Sequence, residues 1–200
     1  MRAFALFSPE VPRRTPAFRP PVLFLEDAVC ELCRLARQGY ETCRKKETFG
    51  FLFGTLTDES RLVVRRAVYY RGGVKSRSGV VFPDWASIYR VIRRRRELSN
   101  RLRLRFLGNF HSHVEIGGWV LRGLSDDDRD SFRRDEQATL ETVVFVWAGG
   151  KNDVEPSPRA IVAYEPQTGY NYRIRVYAKF ANGIRLTRVK VIRSGVVIVY

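Results

Sequence analysis

The chain has 200 residues, 44% of them hydrophobic, which suits one domain with a real core. No apolar run approaches the ~18 residues of a membrane helix, and Phe4 to Phe7 lead into Arg13, Arg14 and several prolines, a poor secretory signal; a soluble, cytoplasmic protein without membrane contact is expected. The formal net charge is +15 and only six of the 36 basic residues are lysine, so the surface favours polyanions or acidic partner faces.

Residues 1–21, rich in proline and arginine, predict an irregular arm with at most an edge strand. Residues 25–43 predict a helix: Leu25, Val29, Leu32 and Ala36 follow the 3.6 period, with Glu26 and Asp27 in the favourable first turn. Cys30 and Cys33 lie on it and, with Cys43, make neither a disulfide framework nor a complete zinc knot; they read as packing residues. Residues 49–56 are almost continuously apolar, with Gly50 and Gly54, as in a central strand covered on both faces. Asp58-Glu59-Ser60 turns the chain, and 62–70 returns as a strand.

A flexible basic loop is expected over 71–79. Pro83-Asp84 opens a second helix with Trp85, Ile88, Tyr89 and Ile92 on one stripe. It runs into Arg93–Arg96, read as a solvated helix end that suits the C-terminal dipole. A strand over 102–110 places Leu102, Leu104, Phe106 and Phe110 on one face. Arg103, Arg105, Leu107 and Asn109 take the other, which continues to His111 and His113. Residues 125 to about 140 predict a third helix. Strands are expected over 142–148, 160–164 and 171–178, the last with Tyr172, Ile174 and Val176 on one side. Asn182-Gly183 signals a hairpin leading to strands over 184–192 and 196–200. The fold class is α/β (α+β), a mixed sheet flanked by helices. The expected division is an arm (1–21), a core (22–165) and a C-terminal β-hairpin extension (166–200) packed on the same domain.

The chain has two histidines, one residue apart in Gly108-Asn109-Phe110-His111-Ser112-His113. Alternate side chains leave a strand by the same face, so both imidazoles can converge on one point, and imidazole is the commonest metal ligand. Two imidazoles leave a catalytic zinc one ligand short. Downstream, Ser125-Asp126-Asp127-Asp128-Arg129-Asp130 is dense in carboxylates at a helix start. Upstream, Glu47 precedes the strand over 49–56, where a carboxylate can face a bound water. Each piece has a plainer reading. Ser125 and Asp128 have the spacing of a capping box, and Glu47 after Lys45 and Lys46 can be an ordinary surface acid. Two histidines and a carboxylate also describe non-haem iron sites, although a hydrolytic role suits the nearby Glu47 better.

Glu47 followed by Gly50-Phe51-Leu52-Phe53-Gly54, then His111-Ser112-His113, then Ser125-x-x-Asp128, resembles the signature of the JAMM (MPN-plus) metalloprotease family over residues 22–165. The resemblance implies a cytidine-deaminase-like JAMM/MPN sandwich carrying extra C-terminal β-hairpins, and one Zn2+ per chain held by His111, His113 and Asp128. It implies Glu47 as the general base that takes a proton from the attacking water, and Ser125 as a stabiliser of the tetrahedral oxyanion. The implied activity is that of a prokaryotic-type, deubiquitinase-like isopeptidase, which cuts peptide or isopeptide bonds at the C-terminal Gly-Gly of ubiquitin-like proteins. Eleven residues separate His113 from Ser125 where the family usually has seven, and Val114 stands where proline often follows the second histidine.

Two alternatives remain beside it. Arg90, Arg93–Arg96, Arg101, Arg103, Arg105 and the basic loop 71–77 fit a nucleic-acid-associated protein that uses the fold as a scaffold, with few neighbouring aromatics (Tyr69, Tyr70, Tyr89) to stack on bases. A non-catalytic MPN scaffold is disfavoured by the intact motif.

Overall fold

Hydrophobic alternation builds the centre of the protein. Phe51 and Phe53 leave one face of a strand and Leu52 the other, and all three are fully buried. Such a strand must be covered on both sides. A computed structural model gives the fold of residues 18–42, 45–76, 79–82, 84–115, 123–149, 157, 159–193 and 196–198. In chain order the elements are β1 (Val22–Leu25), α1 (Glu26–Tyr40), β2 (Phe49–Leu56), β3 (Leu62–Tyr69), β4 (Val74–Lys75), β5 (Val80–Val81), α2 (Trp85–Leu102) and β6 (Arg105–Val114). They continue with α3 (Asp126–Arg134), β7 (Leu140–Ala148), β8 (Ile161–Glu165), β9 (Tyr170–Phe180), β10 (Gly183–Leu186), β11 (Val189–Arg193) and β12 (Val196–Ile198).

Ten strands form one mixed sheet in the order β10-β9-β7-β6-β2-β3-β1-β11-β12, with β8 also paired to β9. β6/β7, β1/β3 and β1/β11 are parallel; the other pairs are antiparallel. The expected α+β class with a mixed sheet is what the chain forms. The expected C-terminal hairpins β9–β10 and β11–β12 are woven into this sheet, against β7 and β1, rather than laid on it. Leu186 ends β10, at one end of the path, and Val189 begins β11, next to the strand at the other end, with only Thr187 and Arg188 between them. A chain cannot reach farther than about 3.6 Å per residue, so the sheet curls until those ends are close.

α1 fills one face of the curl. Ala28, Val29, Leu32, Leu35 and Ala36 pack with Phe24, Leu52, Val64, Phe110, Val144 and Ile174. Each fully buried large apolar side chain contributes about 1.5–3 kcal/mol. α2 covers the other face through Val91 and Leu98 against Phe51 and Phe53. α3 covers it through Phe132 against Val143 and Phe145.

Several boundaries depart from the sequence expectations for physical reasons. α2 runs through Leu102, six residues beyond Arg96, and ends where Arg103 takes a left-handed conformation (φ 53°). Its buried stripe is Ser87, Val91, Arg95 and Leu98, not the expected stripe of Trp85, Ile88, Tyr89 and Ile92, all four of which are exposed. Arg95 is therefore not part of a solvated end: it is 6% exposed. The following strand starts at Arg105, not residue 102. In β6, Leu52 pairs with Gly108 and Phe53 with Phe106, leaving Leu107 as an extra residue. That bulge reverses the side-chain parity. Leu107 joins Phe110 on the α1 face, whereas Phe106 shares the α2/α3 side, opposite to the expected assignment. Gly108 permits the close packing there, since a Cβ would stand 1.9 Å from the Leu140 carbonyl oxygen.

The third helix is nine residues long and stops at Arg134, well short of residue 140. Asp135 leaves the helical path to reach Arg95, and Leu140 already belongs to β7. The first helix ends at Tyr40 rather than residue 43. The expected loop 71–79 holds a two-residue strand that pairs with β5. The expected continuous strand over 184–192 is two strands, β10 and β11. Cys30 is exposed and Cys33 packs against the core, while Cys43 lies outside the described residues. So do Pro83, most of the N-terminal arm (1–17) and residues 116–122 of the segment between His113 and Ser125. Among the described residues no helix is long and apolar enough to cross a membrane.

Candidate metal centre

The parity of β6 after its bulge sends Asn109, His111 and His113 towards the α3 side. Both imidazoles lie in the last four residues of the strand and are covered, at 6% and 5% exposure. Their Nε2 atoms are 3.1 Å apart. The ring of His113 meets Phe145 of β7 edge-on at 5.5 Å.

The third donor comes from the start of α3. Ser125 is the N-cap: its hydroxyl oxygen accepts the Asp128 backbone N–H at 3.1 Å, and its own N–H donates to Asp128 Oδ2 at 2.8 Å. The capping box is therefore real, and it aims the carboxylate. Asp128 Oδ2 lies 3.5 Å from His111 Nε2 and 3.6 Å from His113 Nε2. Cap and cluster are two uses of one helix start, so the plainer reading of Ser125-x-x-Asp128 and the metal reading coexist. His111, His113 and Asp128 form a group whose donor atoms all lie within 4.8 Å of one another and which could hold a metal ion.

Glu47 is brought to the same place. It is 7% exposed, so it is not the surface acid its neighbours suggest. Burial pushes its carboxyl up to about 7, opposed by the positive charge of His111 and His113 and reinforced by Asp128. Its backbone N–H donates to the Ser76 carbonyl at 2.8 Å. The adjoining Thr48 is clamped to Ser112, the residue between the two histidines: the Thr48 N–H and hydroxyl both reach Ser112 Oγ, at 2.8 and 3.0 Å, and the Ser112 N–H returns to the Thr48 carbonyl at 3.0 Å. Gly39 lets this segment lie against α1, because a Cβ there would meet the Lys46 carbonyl oxygen at 2.4 Å.

Sequence reasoning missed Glu141. This β7 residue is 5% exposed, and its Oε1 lies 2.9 Å from His111 Nδ1. A carboxylate only accepts, so Nδ1 carries a proton, and Nε2 is the atom that faces His113 and Asp128. The signal available was an acid inside the apolar run Leu140–Val146; it was lost because helix and strand were expected to meet across that position.

The electrostatics are those of a cation site. Burial opposes a charge on His111, yet hydrogen bonds and charge from Asp128 and Glu141 hold its pKa well above the usual imidazole value. Asp128 is itself buried, but the two histidines and Ser125 hold its carboxyl far below the usual carboxylate range. The pocket favours positive charge between these groups. All five residues expected from the sequence thus fall in one place: His111, His113 and Asp128 as a group that could hold a metal ion, Glu47 coupled to them by charge, and Ser125 hydrogen-bonded to Asp128.

No family model and no curated protein matches the chain. Among solved structures it is similar to the solution structure of protein DSY2949 from Desulfitobacterium hafniense, at 16% identity and a TM-score of 0.51, over 87% of this chain and 94% of that one. At that identity the likeness is one of fold.

Proposed function

We propose that this protein is a zinc metallopeptidase of the JAMM type, hydrolysing a peptide or isopeptide bond at the C-terminal Gly-Gly of a ubiquitin-like protein. The observation that carries the reading is the donor triangle of His111, His113 and Asp128, with edges of 3.1, 3.5 and 3.6 Å. Zinc binds imidazole nitrogen and carboxylate oxygen at about 2.0–2.2 Å, and a tetrahedral ion at that range separates its donors by about 3.3–3.6 Å. Two imidazoles and one carboxylate, with a fourth position left over, are the donor set of a hydrolytic zinc site.

When bound, such an ion supplies Lewis acidity to the scissile carbonyl and acidity to a water. The chain supplies the rest. Glu47 offers a buried carboxylate beside the cluster to take the water's proton and pass it to the leaving amine. Ser125 Oγ already accepts the Asp128 N–H, so its hydroxyl hydrogen is the part free to donate to the developing oxyanion. A Gly-Gly tail is thin enough to reach covered residues in extended form, and a basic surface suits an acidic partner.

The test joins metal analysis to cleavage of Gly-Gly-tailed fusions. One zinc per chain in wild type, and a Glu47→Gln variant that keeps the metal but not the activity, are expected. Undiminished cleavage by Glu47→Gln overturns the mechanism.

One surface observation favours a second reading, contact with a nucleic acid. On α2, Trp85 and Tyr89 are 77% and 66% exposed, on the same helix as the exposed Arg93, Arg94 and Arg96. Aromatics beside cations bind single strands by stacking and charge. Absence of binding to an oligonucleotide at low salt removes it.

A further inference from the structure

A line of hydrogen bonds leads from the metal cluster into the arginine run of α2. Arg95 donates from Nη1 and Nη2 to the two carboxylate oxygens of Asp135, at 3.1 and 2.6 Å. Nη2 also donates to Asn109 Oδ1 at 2.8 Å. The Asn109 amide nitrogen donates to Asp135 Oδ2 at 3.2 Å and to Glu141 Oε2 at 3.3 Å. Glu141 Oε1 completes the line at His111 Nδ1.

We propose that Arg95 is a positioning residue for the metal centre, acting through Asn109 and Glu141 to fix how His111 presents its Nε2. The inference rests on the metal-centre reading above. Its logic is one of donor and acceptor direction. A guanidinium has only donors, so Asn109 must turn its carbonyl oxygen towards Arg95. That turns the amide nitrogen towards Glu141. Glu141 then has one oxygen engaged by Asn109, which leaves the other for His111 Nδ1–H. A flipped amide would set its carbonyl against Glu141 and its NH2 against Arg95, two repulsive contacts at buried positions.

The residue type matters. A planar fork holds its donors in fixed directions towards both Asp135 oxygens and Asn109, whereas the three donors of a lysine rotate about a single point charge. The Arg95 guanidinium carbon lies over the Phe106 ring, 4.4 Å from its centre. Packing alone does not call for an arginine here, since an apolar residue continues the stripe of Val91 and Leu98, and a buried ion pair is weak at stabilising a fold. What the arginine adds is direction.

The test compares wild type with Arg95→Lys, which keeps the charge and loses the fork, and Asn109→Leu, which keeps the shape and loses the relay. Zinc affinity is measured by chelator competition. The His111 Nδ1–H proton is followed by NMR in the metal-free protein, where only two histidines contribute. Zinc binding weaker by about 10- to 100-fold, with faster solvent exchange of that proton, is expected in both variants. A folded variant with wild-type affinity and a wild-type proton overturns the proposal, even if its Tm has dropped, because that is the signature of a merely structural arginine. If Arg95→Lys does not fold, Asn109→Leu decides. If wild type binds no zinc, the metal-centre reading fails, while the proton still reports on the relay.

Discussion

Ser112 and Thr48 are joined by three hydrogen bonds, two of them ending on the Ser112 hydroxyl oxygen. Ser112 separates the two histidines and Thr48 adjoins Glu47, so the clamp sets the carboxylate against the imidazoles. Both residues are almost wholly buried. Ser112→Ala leaves the Thr48 N–H and hydroxyl without partners, at about 1–3 kcal/mol. A fall in Tm of roughly 2–10 °C is expected for a chain of this size, with metal content preserved and turnover reduced. Thermal melts and metal analysis of the variant check this; an unchanged Tm counts against the clamp.

Gly39→Ala opposes two effects of known size. Alanine improves helix propensity by about 1 kcal/mol. Its Cβ, however, would stand 2.4 Å from the Lys46 carbonyl oxygen and 2.6 Å from Thr48 Cγ2. Backbone cannot retreat cheaply, and overpacking costs about 1–3 kcal/mol, so the variant is expected to be less stable and less active. Urea denaturation decides the sign: a midpoint above wild type would mean that the segment carrying Glu47 gives way freely.

Asp135 and Arg95 predict an acid-sensitive component of stability. Burial pushes the Asp135 carboxyl up, but the Arg95 charge, hydrogen bonds from Arg95 and Asn109, and Lys179 together hold it below its ordinary value. Because the folded pKa lies below the unfolded one of about 3.9, this contribution is complete above about pH 4. It is lost as pH falls through the folded value. Asp135→Asn strands a buried guanidinium and is expected to cost about 3–5 kcal/mol at pH 7. It should also lose less stability than wild type between pH 7 and pH 3. Parallel pH profiles for the two proteins would refute the assignment.

Metal removal has a thermodynamic signature independent of catalysis. A ligand that binds only the folded chain stabilises it according to its concentration relative to Kd, by about 2.7 kcal/mol at 100 Kd. Zinc is expected to raise Tm in wild type, a chelator to reverse the shift, and His111→Ala to abolish it. A zinc-induced shift that survives His111→Ala places the ion elsewhere.

Four residues at the centre of the site are legible in the sequence because residue type and short spacing encode them: a histidine pair at strand period, and a serine and an acid at cap period; Glu47 has no such local signal and is singled out only by the family resemblance. The outer layer is not legible. Arg95 and Asp135 stand 40 residues apart, and Glu141 and His111 stand 30 apart; each looks ordinary until the fold joins them. Arg95 also conceals the fold. With Ser87 it puts polar residues into the buried stripe, so the sequence shows its apolar period on the exposed residues Trp85, Ile88, Tyr89 and Ile92 instead. The expected third helix runs past Asp135 because nothing local reveals that this carboxylate leaves the axis to meet Arg95. The bulge at Leu107 is likewise invisible to a pattern of alternation, and it reverses the faces of the residues before it.

The short link through Thr187 and Arg188 has a consequence for the far side of the molecule. β11 is delivered by that link to the flank of β1, whose other flank is taken by β3. A chain ending at Leu186 would keep His111, His113 and Asp128 and the α2 and α3 cover, yet β1 would present a bare row of backbone donors and acceptors beside apolar side chains. Such an edge recruits strands from other molecules. Truncation there would show first as self-association, before any loss at the histidines, which lie three strands away along the sheet on β6.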